Sequence, residues 1–345
     1  MAGFRKAKAE QAALKVSIYG APGSGKTFST LLIAEGIAKH YGKRVAFVDT
    51  ERGTDFYVRP VPERKVHPAA FDIDCIYTRS LTEVLRDVKS LDPKDHCVIV
   101  IDSITHLWEA AKSSYTGKTN KAGAIPMWAW SKIKAPYKEL MTFLINSPFH
   151  VFILGRQGNE FAEDEDTGEI KAVGVKMKAE GETAYEPHIC LRMEALKNPK
   201  TKSAIVSAFA EKDRTGVLSG KTIEWPCFDN IAKPLLGLLG ETQAQVMSDD
   251  EAAAHDAEEL NKAAREKLVS SRKTLEKFQA RINLAESKEE VEAIGKQITP
   301  DVKKEMLKED VAALREYYLA AIGAWNGKQL VGAGANGKGD AYEGD

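Results

Sequence analysis

A glycine-rich octapeptide near the N-terminus is the feature that most constrains how this 345-residue chain can fold. It follows an apolar run at 16–19 and precedes a helical run, and its residues are Gly20, Ala21, Pro22, Gly23, Ser24, Gly25, Lys26 and Thr27. A strand, this spacing and a helix together form a phosphate-binding loop. Its backbone N–H groups surround phosphates, its lysine reaches the outer phosphates, and its threonine hydroxyl binds Mg²⁺. The octapeptide therefore predicts the binding of a nucleoside triphosphate with Mg²⁺.

Two later apolar runs end in carboxylates. The run 44–48 is followed by Asp49, Thr50 and Glu51, and the run 97–101 by Asp102. Ligands of open α/β sheets bind at the carboxyl ends of the strands, so these groups should converge. We interpret Asp102, with Thr27, as the metal-side residue and Glu51 as the group that orients and deprotonates the attacking water. Alternatively, such a carboxylate caps a helix or pairs with a neighbouring arginine.

A fourth apolar run, 150–154, leads into Gly155, Arg156 and Gln157. A polar side chain on the strand beside the metal strand is well placed to detect the terminal phosphate. We predict this role for Gln157, with Arg156 as the second candidate. The competing interpretation is that both are solvated residues at a strand exit.

In their order and spacing, these segments resemble the RecA-like recombination ATPases. The likeness extends to the short RecA-core ATPases of bacteriophages, which are often described only as AAA-family proteins and grouped with single-strand annealing functions. It covers about residues 14–240, and its most selective parts are 49–51 and 211–216. The resemblance implies hydrolysis of ATP with Mg²⁺ and an α/β fold: a RecA-like P-loop core with a mostly parallel central sheet flanked by helices, plus a small C-terminal helical region.

The resemblance also implies that two late cations, Lys212 and Arg214, reach the terminal phosphate of a neighbouring subunit. Alternate residues of a strand face the same side, so the two cations should lie together and could neutralise charge on phosphate oxygens. This role requires self-association into a head-to-tail filament or ring. The alternative is a surface pair with Glu211 and Asp213.

Two loops are candidate contacts for single-stranded DNA. The segment 112–134 interleaves Lys118 and Lys121 with Trp128 and Trp130. Single strands bind to such mixtures because phosphates need cations and unstacked bases need flat apolar faces. For the two lysines we favour DNA contact, whereas for the two tryptophans we favour core packing.

The second loop, 159–178, reads as a hairpin with an acidic arm and a basic arm. DNA contacts would come from the basic arm, from Lys171, Lys176 and Lys178. Docking of the hairpin on a neighbouring subunit is an equal alternative.

Changes in composition predict five regions. These are a basic N-terminal arm (1–14), the ATPase core (15–240), an acidic linker (241–262), a helical bundle (263–326) and a disordered glycine-rich tail (327–345). The four cysteines show no paired metal spacing and are predicted to be buried thiols. No apolar stretch approaches the roughly 20 residues that cross a bilayer, so we expect a cytoplasmic protein without a membrane partner, in the host cytoplasm if it is phage-encoded.

The sequence as a whole favours an ATP-dependent, single-stranded-DNA-binding ATPase that promotes phage DNA recombination by annealing or strand pairing. A single-strand-binding or replication protein is a further candidate partner. The main alternative is an ATP-driven loader or remodeller of a replication protein. A P-loop kinase of small molecules ranks third, because no arginine-rich lid follows the core.

Overall fold

The structure is a computed structural model that describes residues 6, 8–115, 124–163, 168–197, 204–240, 247 and 249–333. The chain divides into two compact units, Met1–Val246 and Met247–Asp345. No helix in the described part of the chain is long and apolar enough to cross a membrane.

Within the residues that the structure describes, the first unit is built on one mixed sheet of nine strands. Their order is β3-β2-β4-β5-β1-β7-β8-β9, and β6 pairs with β5 outside this path. The strands from β3 to β7 along this path are mutually parallel, whereas β6, β8 and β9 pair antiparallel with their neighbours. The strands are β1 (Lys15–Gly20), β2 (Arg44–Asp49), β3 (Asp74–Tyr77), β4 (His96–Asp102), β5 (His150–Glu163), β6 (Ile170–Met177), β7 (Ile189–Lys197), β8 (Ala204–Asp213) and β9 (Thr222–Glu224).

Helices cover both faces of this sheet because its central strands are apolar on both sides. Val98 and Val100 of β4 pack into one core with helix α1, while Ile99 and Ile101 pack into a second core with the next three helices. The helices of this unit are α1 (Lys26–Tyr41), α2 (Leu81–Lys89), α3 (Ile104–Ser113), α4 (Trp130–Asn146) and α5 (Lys233–Leu236). The predicted α/β fold class, with a mostly parallel sheet flanked by helices, is confirmed.

Two buried titratable side chains lie at the amino ends of the parallel strands, on the side of the sheet opposite the P-loop. Lys15 donates hydrogen bonds to the carbonyls of Leu144, Ser147 and Phe149, which lie at and just beyond the end of α4. His150 is 4% exposed, and its Nδ1 accepts a hydrogen bond of 3.1 Å from the Leu14 N–H. Burial lowers the pKa of His150 to about 4, so the native state holds this imidazole neutral.

This burial predicts a loss of stability in acid. The unfolded chain protonates His150 near its ordinary pKa of about 6.5, whereas the native state resists protonation until about pH 4. The free energy of unfolding should therefore fall by about 3 kcal/mol between these two pH values. Asn at position 150 keeps a hydrogen-bond acceptor near the Nδ1 position but does not titrate. Urea unfolding at pH 7 and pH 4.5 should show a smaller acid loss for His150→Asn, and equal losses would contradict this account.

The second unit is a small helical bundle. Its apolar core includes Leu275, Phe278, Val291 and Leu314. The helices are α6 (Asp249–Leu284), α7 (Lys288–Lys296), α8 (Pro300–Glu305) and α9 (Lys308–Ala333). The C-terminal helical region is thus confirmed as part of the fold class.

Three predicted boundaries differ from the structure. Residues 249–262, predicted as linker, are helical because their alanines, glutamates and leucine are strong helix formers. Residues 327–333, predicted as disordered, continue α9, while 334–345 lie outside the described residues. At the N-terminus, Ala13 and Leu14 are buried in the first unit rather than part of a free arm.

The hairpin predicted at 159–178 exists as an antiparallel pairing of β5 with β6. The sequence predicted that this strand ends at residue 154, but β5 continues through Glu163. The turn residues of the hairpin, 164–167, lie outside the described part of the chain.

The cysteines are free thiols, as predicted, but they differ in burial. Cys97 and Cys190 are buried, whereas Cys75 and Cys227 are only partly buried. Cys75 lies on β3, which is the edge strand of the sheet and is covered less completely than the central strands. The prediction of burial is therefore wrong for two of the four.

Candidate nucleotide-binding site

The P-loop connects the carboxyl end of β1 to the first turn of α1. Gly23 and Gly25 have φ values of 76° and 85°, in the region that favours glycine. A Cβ atom on Gly25 would also lie only 2.8 Å from a Val206 methyl carbon. Both positions therefore require glycine, which leaves the backbone N–H groups of the loop free of side-chain cover.

The lysine and the threonine of the loop occupy the positions that the motif predicts. Lys26 Nζ donates hydrogen bonds of 2.9 Å to the carbonyls of Gly20 and Ala21. Burial lowers the pKa of Lys26, and the nearby carboxylate of Asp102 opposes this shift. The Thr27 hydroxyl donates a hydrogen bond of 2.6 Å to Asp102 Oδ2. The predicted metal-side pair, Thr27 and Asp102, is therefore brought together.

Asp102 has the surroundings of a carboxylate that holds a cation. It ends the central strand β4, its residue is 9% exposed, and burial raises its pKa to about 6. A hard divalent ion prefers oxygen ligands, and a hydroxyl beside a carboxylate supplies two of them. The residues present therefore fit Mg²⁺.

The segment 49–54, which we call the acidic turn, carries the other two carboxylates. Asp49 accepts hydrogen bonds from the Glu51 N–H at 2.8 Å, the Thr54 N–H at 2.9 Å and the Thr54 hydroxyl at 2.6 Å. Burial opposes the ionisation of Asp49, but these hydrogen bonds outweigh it and lower the pKa. Asp49 thus organises the turn, and Glu51 is the carboxylate left to face the site.

Glu51 lies against Arg156 rather than Gln157. The guanidinium donates to Glu51 Oε1 through Nε at 3.1 Å and through a terminal nitrogen at 2.9 Å. Because consecutive residues of a strand face opposite sides and β5 continues past this point, Gln157 faces away from Glu51. The geometry therefore favours the second candidate, Arg156, as the polar group of this strand that reaches the site.

A cavity of about 280 Å³ lies beside the metal-side pair. It is bounded by Thr27 and Asp102 on one side and by the acidic turn, Phe56 and Tyr57 on the other. Predicted metal-side and catalytic groups from three separate segments thus face one space.

The predicted cations Lys212 and Arg214 lie far from the P-loop of their own chain. Lys212 pairs with Cys190, which pairs with Ser17, three residues before Gly20. That offset is roughly 10 Å along the strands, with β7 also intervening. Lys212 Nζ and a terminal nitrogen of Arg214 both donate to the Tyr185 carbonyl, so the two side chains lie together as expected.

The candidate DNA contacts are only partly visible. Lys118 and Lys121 lie outside the described residues. Lys178 pairs with Glu109 at 2.8 Å, and Lys176 lies 4.0 Å from Glu160. These lysines are more than half exposed, and surface pairs of this kind contribute little, so they can exchange partners readily.

The two tryptophans differ from each other. Trp128 is 68% exposed, against the expectation of core packing, and the preceding Met127 is 88% exposed. Trp130 packs against the second core, with its ring 6.1 Å from that of Trp108. An exposed tryptophan therefore follows the segment that contains Lys118 and Lys121 in the sequence.

Sequence reasoning missed a group of polar residues beneath Glu51. Thr105 and His106, in the first turn of α3, are buried and contact Arg156 and Thr50 respectively. Their signal in the sequence was weak: two polar residues that follow Asp102 closely, at the start of a helix.

Comparison with known proteins gives one match to a family. A family model described as an AAA domain matches residues 12–209. No curated protein matches the chain. Among solved structures, the chain is similar to a KaiC-like protein of the hyperthermophilic archaeon Pyrococcus horikoshii, with 16% sequence identity and a TM-score of 0.41, over 63% of this chain and 94% of that one.

Proposed function

We propose that this chain, which belongs to the AAA-domain family matched over residues 12–209, hydrolyses ATP at the P-loop and couples hydrolysis to binding of single-stranded DNA. One observation supports the hydrolysis of ATP more than any other. The Thr27–Asp102 hydrogen bond and the Glu51 carboxylate border the same cavity at the carboxyl edge of the sheet. Hydrolysis of a phosphoanhydride needs this division between a metal-side carboxylate and a base beside the nucleophile.

Each residue has one task in this proposal. The P-loop N–H groups and Lys26 hold the β- and γ-phosphates, and Thr27 and Asp102 hold Mg²⁺. Mg²⁺, when bound, neutralises charge on those phosphates. Glu51 orients a water molecule and takes its proton as the water oxygen attacks the γ-phosphorus. The bond between the β–γ bridging oxygen and the γ-phosphorus then breaks, and ADP and phosphate leave.

We assign the phosphate-sensing role to Arg156. Its guanidinium pairs with Glu51. A terminal phosphate offers a more highly charged partner for a planar fork of donors, so Arg156 would turn from the carboxylate to the phosphate. Glu51 would then be free to accept a proton only when ATP is present.

The position of Lys212 and Arg214 supports self-association. They lie at the edge of the sheet opposite the P-loop, where their own nucleotide is out of reach. A head-to-tail arrangement places that edge against the nucleotide of a neighbour, and such contacts generate rings or filaments.

DNA binding is supported by the exposed Trp128, which follows Lys118 and Lys121 in the sequence. An exposed indole can stack on an unpaired base, and lysines can contact phosphates. ATP hydrolysis should accordingly rise when single-stranded DNA is added. We assign the pairing or annealing of recombining DNA strands as the biological outcome.

The DNA assignment predicts how binding depends on salt. Removing Lys118 and Lys121 together should lower the log–log salt slope by roughly 0.7 per lost phosphate contact, because fewer counterions are released. Trp128→Ala should weaken binding with an unchanged slope, because stacking releases no counterions. Fluorescence anisotropy of a mixed-sequence oligonucleotide at several salt concentrations measures both quantities.

The matched control removes the same charge elsewhere. Lys39 and Lys94 are exposed and lie away from the carboxyl edge of the sheet, so replacing both with Ala should leave the slope unchanged. An unchanged slope for the Lys118 and Lys121 variant would exclude that loop as the DNA site and turn attention to Lys176 and Lys178.

A loader or remodeller of a protein partner is the second candidate. The β5–β6 hairpin exposes three apolar side chains, Phe161, Ile170 and Val173, each at least 60% exposed. Such side chains on a projecting hairpin suit a protein surface better than a phosphate backbone. ATP hydrolysis that does not respond to single-stranded DNA would favour this candidate.

A further inference from the structure

The first turn of helix α3 contacts both members of the Glu51–Arg156 pair. Thr105 Oγ1 accepts a hydrogen bond of 2.9 Å from the Arg156 N–H. His106 Nδ1 lies 2.7 Å from the Thr50 hydroxyl oxygen, and Thr50 directly precedes Glu51. Both α3 side chains are buried, His106 at 7% exposure and Thr105 at 0%. Adjacent residues of one helix thus contact the two segments that carry the ion pair, the acidic turn and strand β5.

The Thr50–His106 hydrogen bond is compatible with a neutral imidazole. The Thr50 hydroxyl accepts a hydrogen bond of 2.9 Å from the Ser103 N–H. Its single proton can be donated to a His106 ring that has a lone pair on Nδ1 and its proton on Nε2. Burial, followed by the charge of Arg156, lowers the pKa of His106 and favours this neutral form.

In its neutral form, His106 does not form an ion pair with Glu51. His106 Nδ1 lies 3.7 Å from Glu51 Oε1. In the tautomer with its proton on Nε2, Nδ1 cannot donate to that carboxylate. The chain from the Ser103 N–H through the Thr50 hydroxyl to His106 instead ties the acidic turn to the start of α3.

We propose that His106 is a positioning residue for Glu51, acting through the Thr50 hydroxyl. The proposal rests on the proposed function, in which Glu51 is the base. Glu51 and the following Arg52 are exposed, so the carboxylate can move, whereas the water it deprotonates must be held in line with the γ-phosphate. Small displacements of a catalytic group are costly, so loss of the Thr50–His106 hydrogen bond should slow the chemical step without weakening nucleotide binding.

Two pairs of variants test this. His106→Phe keeps a ring but removes the acceptor, and His106→Asn restores an acceptor near the Nδ1 position. Thr50→Val removes the hydroxyl at nearly constant shape, and Thr50→Ser restores it. We expect His106→Phe and Thr50→Val each to lower kcat about tenfold with KM for MgATP within about twofold, and each restoring variant to recover most of kcat.

The double variant Thr50→Val/His106→Phe tests whether the two residues act together. If both residues act through one hydrogen bond, the double variant should be no slower than the worse single variant. Thermal unfolding identifies any variant that fails to fold, in which case the Thr50→Val and Thr50→Ser pair alone decides.

Three results would overturn the proposal. They are a kcat for His106→Phe within about twofold of the parent, single losses that multiply in the double variant, or a loss confined to KM. Glu51→Gln distinguishes this failure from failure of the proposed function. A parental rate for Glu51→Gln removes the base assignment, whereas an inactive Glu51→Gln beside a normal His106→Phe removes only the role of His106.

Discussion

Replacing Glu51 with Gln is expected to abolish ATP turnover while leaving ATP binding intact. The amide keeps the size of the carboxylate but cannot accept a proton from water, and loss of a general base lowers kcat by about 10²- to 10⁴-fold. The change also removes the anionic partner of Arg156, which contacts Glu51 at 2.9 Å. The freed guanidinium can then bind phosphate, so the Kd for MgATP should stay the same or fall.

Single-turnover kinetics and equilibrium binding of a fluorescent ATP analogue measure the two effects separately. Lys26→Ala is the contrasting variant, because loss of the lysine should weaken nucleotide binding or hydrolysis directly. Parental turnover in Glu51→Gln would assign the base to another carboxylate. Asp49 is the nearest alternative in the sequence, although its oxygens already accept hydrogen bonds from Thr54 and from the Glu51 N–H.

The part of the site that could be predicted from sequence is the part fixed by strand ends. Thr27 and Asp102 converge because the parallel strands β1 and β4 end at the same edge of the sheet, and a buried apolar strand followed by an acid is visible in the sequence. The acidic turn was located on the same grounds. For these residues the local sequence pattern agrees with the position in the fold, so a single sequence was enough to predict them.

The choice between Arg156 and Gln157 could not be made in that way. It depends on which face of β5 each residue occupies, and the sequence placed the strand end at 154 instead of Glu163. A strand that leaves a sheet to form a hairpin keeps its alternation, so the residue that reaches Glu51 is decided by register with β1 and not by composition.

Other differences have a similar origin. His106 and Thr105 act through contacts with the acidic turn and β5, about 50 residues away in the chain, which no local pattern encodes. Trp128 resembles a core residue by type, yet the turn at Met127–Ala129 exposes it. The helix at 249–262 was hidden by its small, acidic composition.

The family match supports the P-loop ATPase part of the resemblance. A phage origin, recombination and self-association stay predictions. Among these, self-association is the easiest to test, because the proposed composite site predicts how much activity a mixture of two inactive variants recovers.

Loss of Lys212 and Arg214 together should leave ATP binding intact but lower hydrolysis strongly. Both cations lie at the sheet edge opposite their own P-loop and converge on the Tyr185 carbonyl. Cations supplied from a neighbouring chain to a phosphoryl-transfer site contribute about 10³- to 10⁵-fold to kcat. The double variant Lys212→Ala/Arg214→Ala is therefore expected to resemble Glu51→Gln in turnover, although its defect lies on the other side of an interface.

Mixing these two inactive proteins should restore activity. An interface is intact when its base comes from the double variant and its cations come from Glu51→Gln. About a quarter of the interfaces in an equimolar random mixture meet both conditions. Such a mixture should therefore recover about a quarter of the parental rate if interfaces act independently. The control mixes Glu51→Gln with a triple variant that carries all three substitutions, since no interface in that mixture can be intact. Mixtures shown to co-assemble by sedimentation contain any composite site that can form. If such mixtures recover no activity, the two cations act within their own subunit or on its surface.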